Sequence, residues 1–151
     1  MKNVLLLFFL FFTLNCISQS NNTVKKDTIF TIYDVDKLFY FESCKDVNPE
    51  GRDLLFGCFQ KTLKNFINKE LSTETYSNLE CYSGRSMIML SFVVNEKGEF
   101  EDVRLKFRSN YCRKLYDAIK KITKNLPKVI PAMKNEKNVK VKFRTSLMYR
   151  F

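Results

Sequence analysis

Cysteine is the residue type with the widest chemical repertoire in this chain, which holds five cysteines and no histidine among 151 residues. Without histidine, the chain lacks the imidazole base of Ser-His-Asp and Cys-His sites and the commonest side-chain ligand of transition metals. No two cysteines show the C-x-x-C spacing of zinc sites and thiol oxidoreductases. A Cys/His metal site is therefore not expected, and structural disulfides are favoured over redox or metal chemistry.

The remaining polar clusters offer little to catalysis. Glu99, Glu101 and Asp102 lie beside a predicted hairpin turn, and they are most simply the residues of a solvated turn. A Ser-Lys nucleophile would need a serine and a lysine brought together by the fold, and no spacing in the sequence singles out such a pair. We therefore predict that the protein is not an enzyme and takes no cofactor, metal ion or small-molecule substrate.

The N-terminal segment has the pattern of a cleavable signal peptide. An apolar run, residues 4–14, follows a short segment that carries Lys2 and precedes mostly small and polar residues. Eleven helical residues rise about 16 Å, which is short of the roughly 30 Å of hydrocarbon that a membrane-spanning helix must cross. We therefore expect export without a permanent transmembrane anchor.

Two processing schemes are open. Cleavage after Ser18 makes residues 1–18 a signal peptide and yields a periplasmic or secreted protein, and this scheme is favoured. Lipid attachment at Cys16 is the minor alternative, because lipoprotein signals place Gly, Ala or Ser before the cysteine and this chain has Asn15 there. Four cysteines lie beyond the signal, Cys44, Cys58, Cys81 and Cys112. In a compartment where disulfides persist, three different pairings of them are possible.

The charge is divided unevenly along the chain. Residues 19–103 hold ten Lys/Arg and fourteen Asp/Glu, a net charge of −4, whereas residues 104–151 hold fifteen and two, a net charge of +13. Such asymmetry favours an acidic peptide, a lipid surface or a polyanion as the partner, and a solvated face that keeps the protein soluble is the alternative. Basic strands interleaved with Tyr and Phe also suit nucleic acid, but export argues against a nucleic-acid partner.

Two helices are predicted from the spacing of apolar residues at i, i+3 and i+4. The first covers residues 53–71 and the second covers residues 112–124, with Pro127 and Pro131 ending it. Residues 19–40 precede the first helix as a tether or a short strand.

Three strands are predicted around the second helix. Residues 86–94 form an apolar run that reads as a strand buried on both faces, and residues 100–108 return after a turn in which Gly98 takes a positive φ. Residues 139–151 alternate between an apolar and a basic side. With the helix crossing between hairpin and last strand, the order predicts an α+β fold, a two-layer sandwich whose helices cover one face of a three-stranded sheet.

Several segments of this pattern together resemble a known family. In chain order they are FESC (41–44), GCF (57–59), LSFVVNEKGEFEDVRL (90–105), LPKVIPAM (126–133) and VKVKFRTSLMYRF (139–151). The ordered set is similar to the TonB C-terminal domain, in the form common among secreted proteins of the Bacteroidetes. The resemblance implies a TonB C-terminal-like domain over residues 41–151.

The resemblance also implies a binding mode and a disulfide. Members of the family grip outer-membrane receptors through a strand edge that pairs with an extended peptide. This places the partner on the final strand, over residues 139–147, with the backbone and outward side chains in contact and the inward ones in the core. The outward residues are Lys140, Lys142 and Arg144, and the inward ones are Val139, Val141 and Phe143.

For the cysteines, the resemblance implies a bond between Cys44 and Cys58, which leaves Cys81 and Cys112 to pair with each other or stay buried. The leading hypothesis is a secreted, TonB-like protein-interaction domain associated with outer-membrane transport, with a TonB-dependent receptor as its partner. The alternative is a stand-alone structural or envelope-binding protein, held by lipid or polyanion contacts through its basic half and without a role in energy transduction.

Overall fold

The computed structural model describes residues 28–47, 51–73, 84–109 and 112–150. The predicted signal segment, residues 1–18, lies outside the described residues, as do Cys16 and Cys81. The helices and strands, in chain order, are β1 (Ile29–Thr31), α1 (Arg52–Thr73), β2 (Arg85–Val94), β3 (Phe100–Ser109), α2 (Arg113–Ile122), β4 (Ala132–Lys134) and β5 (Lys137–Arg150). Short 3-10 turns lie at Glu42–Cys44 and at Thr123–Asn125, directly after α2.

The strands form one mixed sheet in the order β1-β5-β2-β3, with β4 paired to the start of β5. β5 and β2 are antiparallel over their whole overlap, from Arg85 opposite Arg150 to Val94 opposite Val141. β1 runs parallel to β5 and β4 antiparallel to it. The α+β class is confirmed, but the sheet has five strands and not the three predicted, because β1 and β4 are too short to show a period-two pattern in the sequence.

Both helices pack on the same face of the sheet, where the apolar sides of β2 and β5 lie. Phe59 of α1 sits 5.5 Å from Phe143 of β5 and 4.9 Å from Phe39, ring centre to ring centre, and Phe92 of β2 lies 5.3 Å from Phe143. Such tilted and edge-to-face aromatic pairs contribute about 0.5–1.5 kcal/mol each beyond the area they bury. An aromatic cluster therefore joins the helical layer to the two central strands.

The opposite face of the sheet carries no described helix or strand. Ile88, Leu90 and Phe92 are buried beneath the helices, whereas Met87 and Met89 on the other side of β2 are only half-buried. The prediction that β2 is buried on both faces holds at Val93, which is buried, but was wrong at Met87 and Met89, because an unbroken apolar run does not tell how many layers cover a strand.

The β2–β3 turn is held by its own residues. Gly98 has φ of +75°, as predicted, and Asn95 accepts hydrogen bonds from the backbone N–H groups of Lys97 and Glu99, each at 2.9 Å. The pKa of Glu99 lies below its ordinary value because Lys128 and Asn95 both hydrogen-bond its carboxylate. The acidic residues of this hairpin thus serve the turn.

The disulfide between Cys44 and Cys58 is confirmed and ties the first 3-10 turn to α1 across a separation of 14 residues. Cys44 is fully buried. Cys112 also takes part in a disulfide, and the partner that the sequence offered for it, Cys81, lies outside the described residues.

Replacing Gly98 with alanine should destabilise the protein by about 2–4 kcal/mol, because the residue sits in the left-handed region and its Cβ would clash with the chain. An ideal Cβ at Gly98 lies 1.8 Å from the carbonyl oxygen of Val129, whereas one at Gly57 in α1 meets nothing within 4 Å. Gly57→Ala is therefore the control, and it should stabilise the helix by about 0.5–1 kcal/mol. Urea unfolding measures both, and equal effects would contradict this account of the turn.

Removing the Cys44–Cys58 bond with the double substitution to alanine should lower the free energy of unfolding by about 3 kcal/mol, the chain-entropy value for a loop of this length. Non-reducing peptide mapping first verifies the bond in the exported protein. Ser43→Ala, an exposed change in the same turn, serves as the control. A loss below about 1 kcal/mol would show that the turn stays on α1 without the crosslink.

Candidate functional site

One side of β5 is open over most of its length. β2 occupies the other side from Val141 to Arg150, β1 pairs with β5 only at Lys140–Lys142, and β4 pairs with its first three residues. Among the described residues, no strand pairs with the second side of residues 143–150, which we name the open β5 edge. Alternate residues of a strand direct their N–H and C=O groups to either side, so this edge presents backbone groups suited to another strand.

The open edge begins where β1 turns away. The Asp34 carboxylate accepts hydrogen bonds from the backbone N–H of Thr31, at 2.9 Å, and from its hydroxyl, at 2.6 Å, and these two bonds keep the pKa of Asp34 below its usual value. The Arg52 guanidinium, at the start of α1, donates to the carbonyls of Ile32 and Val35. The chain is thereby fixed in a turn directly after β1, and the pairing with β5 stops at Lys142.

A groove of about 380 Å³ runs between α1 and the open β5 edge. Gln60 bridges it with a hydrogen bond of 3.4 Å from its Nε2 to the hydroxyl of Thr145. Exposed Lys61 and Lys64 stand on the helix side, and Gly57, which is also exposed, leaves its part of the helix surface bare. We name this the α1–β5 groove, and it offers space for side chains of a strand added to the edge.

The face of the sheet away from the helices is strongly basic. Ser91 of β2 lies opposite Arg104 of β3 on one side and Arg144 of β5 on the other. Two shallow cavities, of about 400 and 190 Å³, share these three residues in their lining. The exposed cations that together define the basic face are Arg104, Lys106, Arg108, Lys142, Arg144 and Arg150.

The cations of the basic face are not neutralised within the described part of the chain. None of the six forms an ion pair there, whereas Lys128 lies 2.7 Å from Glu99 and Lys140 lies 4.0 Å from Glu101. Of the carboxylates in the described ranges, only that of Asp102 lines the two cavities. Cations that have no ion pairs on an uncovered face attract anions and repel one another.

The residues predicted from the sequence divide between three environments. Val141 and Phe143 are buried in the core, as expected, while Lys142 and Arg144 are exposed on the basic face. Lys140 is half-buried against Glu101, and Val139 is half-buried and paired with Ala132 of β4. Because β1 pairs with residues 140–142 on this side of β5, the long stretch free to accept a strand starts at residue 143 and not at residue 139.

Sequence reasoning missed the α1 side of the site. Lys61 and Lys64 read only as the solvated side of a helix, and Gly57 entered only through the GCF segment of the resemblance. Nothing in the sequence places the three beside β5. The cations of β3 were visible as a solvated strand face, since Arg104, Lys106 and Arg108 alternate with apolar residues. Only the pairing of β3 and β5 with β2 brings these cations onto the same face as Lys142, Arg144 and Arg150 of β5.

In the described ranges, no group of three or more Cys, Asp or Glu side chains is arranged to hold a metal ion. No helix among the described residues combines the length and apolar composition needed to cross a membrane. Comparison with protein-family models, with curated proteins and with solved structures gives no match to this chain.

Like-charge repulsion on the basic face should make stability depend on salt. Raising the NaCl concentration from 0.01 to 0.15 M shortens the Debye length from about 30 to about 8 Å and should raise the melting temperature. Arg144→Gln should reduce this gain. Lys128→Gln, which removes the same charge but breaks an attraction, should instead lower the melting temperature slightly at low salt and should not reduce the gain. Thermal unfolding of the three proteins at both salt concentrations tests this, and equal salt responses of the two variants would contradict it.

Proposed function

We propose that the protein is an exported, TonB C-terminal-like interaction domain that binds an extended segment of a partner protein by strand addition. The observation that carries the proposal is the open β5 edge, where, within the part of the chain that the structure describes, residues 143–150 pair with a strand, β2, on one side only. Eight residues in extended conformation span about 26 Å, which is enough for a full ladder of main-chain hydrogen bonds with a short peptide.

Two features of the edge support this mode. β5 is the longest strand described, with 14 residues, and its pairing with β2 continues without a register shift. The α1–β5 groove adds a wall on the helix side. In strand addition the backbone ladder supplies affinity and pockets for alternate side chains supply specificity, and this edge offers both.

The resemblance to the TonB C-terminal domain supplies the identity of the proposed partner. We assign it as an outer-membrane TonB-dependent receptor, whose extended periplasmic segment would take the place beside β5. The export signal predicted over residues 1–18 would bring the protein into the same compartment as that segment.

A second function is favoured by the basic face itself. Six exposed cations without ion pairs within the described residues suit an anionic envelope component, such as a lipid or polysaccharide surface, as well as an acidic protein. In that case the cations of β3 and those of β5 would contribute equally to binding, because such a surface interacts with the charges and not with a strand edge.

Charge reversal of each set of cations separates the two functions. Affinity capture from outer-membrane extract should recover a receptor with the wild type, and recovery should fall about tenfold in Lys142→Glu/Arg144→Glu, where carboxylates would repel an acidic segment added at the neighbouring edge. Lys106→Glu/Arg108→Glu is the matched control. It makes the same change of charge on β3, at the opposite edge of the same face, and should retain the receptor. Quantitative mass spectrometry of the captured proteins measures both.

Equal losses in the two double variants, with anionic lipid or polysaccharide recovered in place of a receptor, would favour the envelope-binding function. Recovery of no receptor by the wild type would overturn the proposed TonB-like role.

A further inference from the structure

The charges around the open β5 edge lie on both faces of the sheet. Arg144 and Arg150 project from β5 on the uncovered side, while Lys61 and Lys64 of α1 stand over the groove on the helix side. Among the described residues, no carboxylate lines the α1–β5 groove. None of these four cations has an ion pair among the described residues. The edge is therefore flanked by positive charge on both faces of the sheet.

A strand added at this edge would expose its side chains to both sets of cations. Neighbouring strands lie about 4.8 Å apart and side chains opposite each other about 5 Å apart. Successive residues of the added strand point to opposite faces. One carboxylate would therefore meet the β5 arginines and the next would meet the α1 lysines.

Gly57 is a second feature of the same groove. It lies inside α1, where glycine costs about 0.5–1 kcal/mol relative to alanine, and a Cβ there would meet nothing within 4 Å. No contact among the described residues requires the missing side chain. The bare patch does, however, lower the helix wall of the groove and so widens the space beside β5.

We infer that the segment bound at the open β5 edge is an acidic extended peptide with carboxylates at successive positions, and that Gly57 leaves room for it against α1. This inference rests on the proposed strand addition. An ordinary amphipathic strand, with carboxylates on one face only, would leave the cations of the other face without partners.

A second copy of this chain is a poorer occupant of the edge. Pairing two open β5 edges would bring the Arg144 and Arg150 row of one copy against the same row of the other. Like charges directly opposite each other on paired strands are destabilising. Charge complementarity therefore selects an acidic segment of a different protein.

Synthetic peptides of identical composition test the charge pattern. With acetylated and amidated ends, EEVVEEVV places two carboxylates on each face, whereas EVEVEVEV places all four on one face. We expect the oxidised mature protein to bind the first peptide about tenfold more tightly than the second, by isothermal titration calorimetry at low salt. TTVVTTVV serves as the neutral control, and its affinity should be lower still.

Variants of α1 test the helix side of the site. Lys61→Glu/Lys64→Glu should weaken binding of EEVVEEVV about tenfold and leave EVEVEVEV nearly unchanged, since that peptide needs only the β5 arginines. Gly57→Leu should obstruct the groove and weaken both peptides. Asn65→Leu, an exposed change on α1 outside the groove lining, is its control and should bind as the wild type does. Circular dichroism verifies that each variant retains its helices.

The outcomes separate this inference from the proposed function. A version of EEVVEEVV that is N-methylated at alternate residues cannot form the ladder, and undiminished binding of that version would overturn strand addition itself. Binding that is lost on N-methylation but equal for the acidic and neutral peptides would retain strand addition and overturn the acidic preference. Unchanged affinity in Gly57→Leu would overturn the role of that glycine.

Discussion

The alternation of side chains along β5 is the constraint on which the rest of the structure depends. Val141, Phe143 and Leu147 fill the core beneath the helices, so the residues between them must point the other way, because successive side chains of a strand project to opposite faces. A slip of one residue in the pairing with β2 would expose Phe143 and bury Arg144 and Arg150. The basic face is therefore a direct consequence of the same register that builds the aromatic cluster.

The segment before α1 decides how much of β5 stays open. β1 forms three residue pairs with β5, and the turn held by Asp34 and Arg52 then carries the chain away. Downstream, Tyr40 and Ile130 exchange two backbone hydrogen bonds. The Cys44–Cys58 bond then fixes the next turn to α1. These attachments keep the N-terminal segment on the helical side, where Phe39 packs on Phe143 within the core, and none of its described residues pairs with the backbone of residues 143–150.

Much of the fold could be predicted from local pattern, because long amphipathic elements carry their own periodicity. The two helices, the β2–β3 hairpin with Gly98, and the alternating last strand all follow from residue spacing. Three-residue strands such as β1 carry no such signal, and they form here because β5 offers a partner. The position of the open edge and the nearness of Gly57 to it depend on tertiary register, so no reading of the sequence alone could have placed them.

Among the described residues the sheet offers two strand edges, that of β3 and that of β5 beyond its short pairing with β1, and they are unequal as binding edges. β3 has two register shifts against β2, and Asp102 adopts φ of +50° near one of them, so this edge is bent and carries acidic residues at its start. Bulges and charged residues are the usual means by which edge strands avoid unwanted pairing. The β5 edge is regular and is protected only by charge. Cations along a regular edge exclude a second copy of the same edge, but they do not exclude an acidic strand. The same residues that protect the free protein would then help to select its partner.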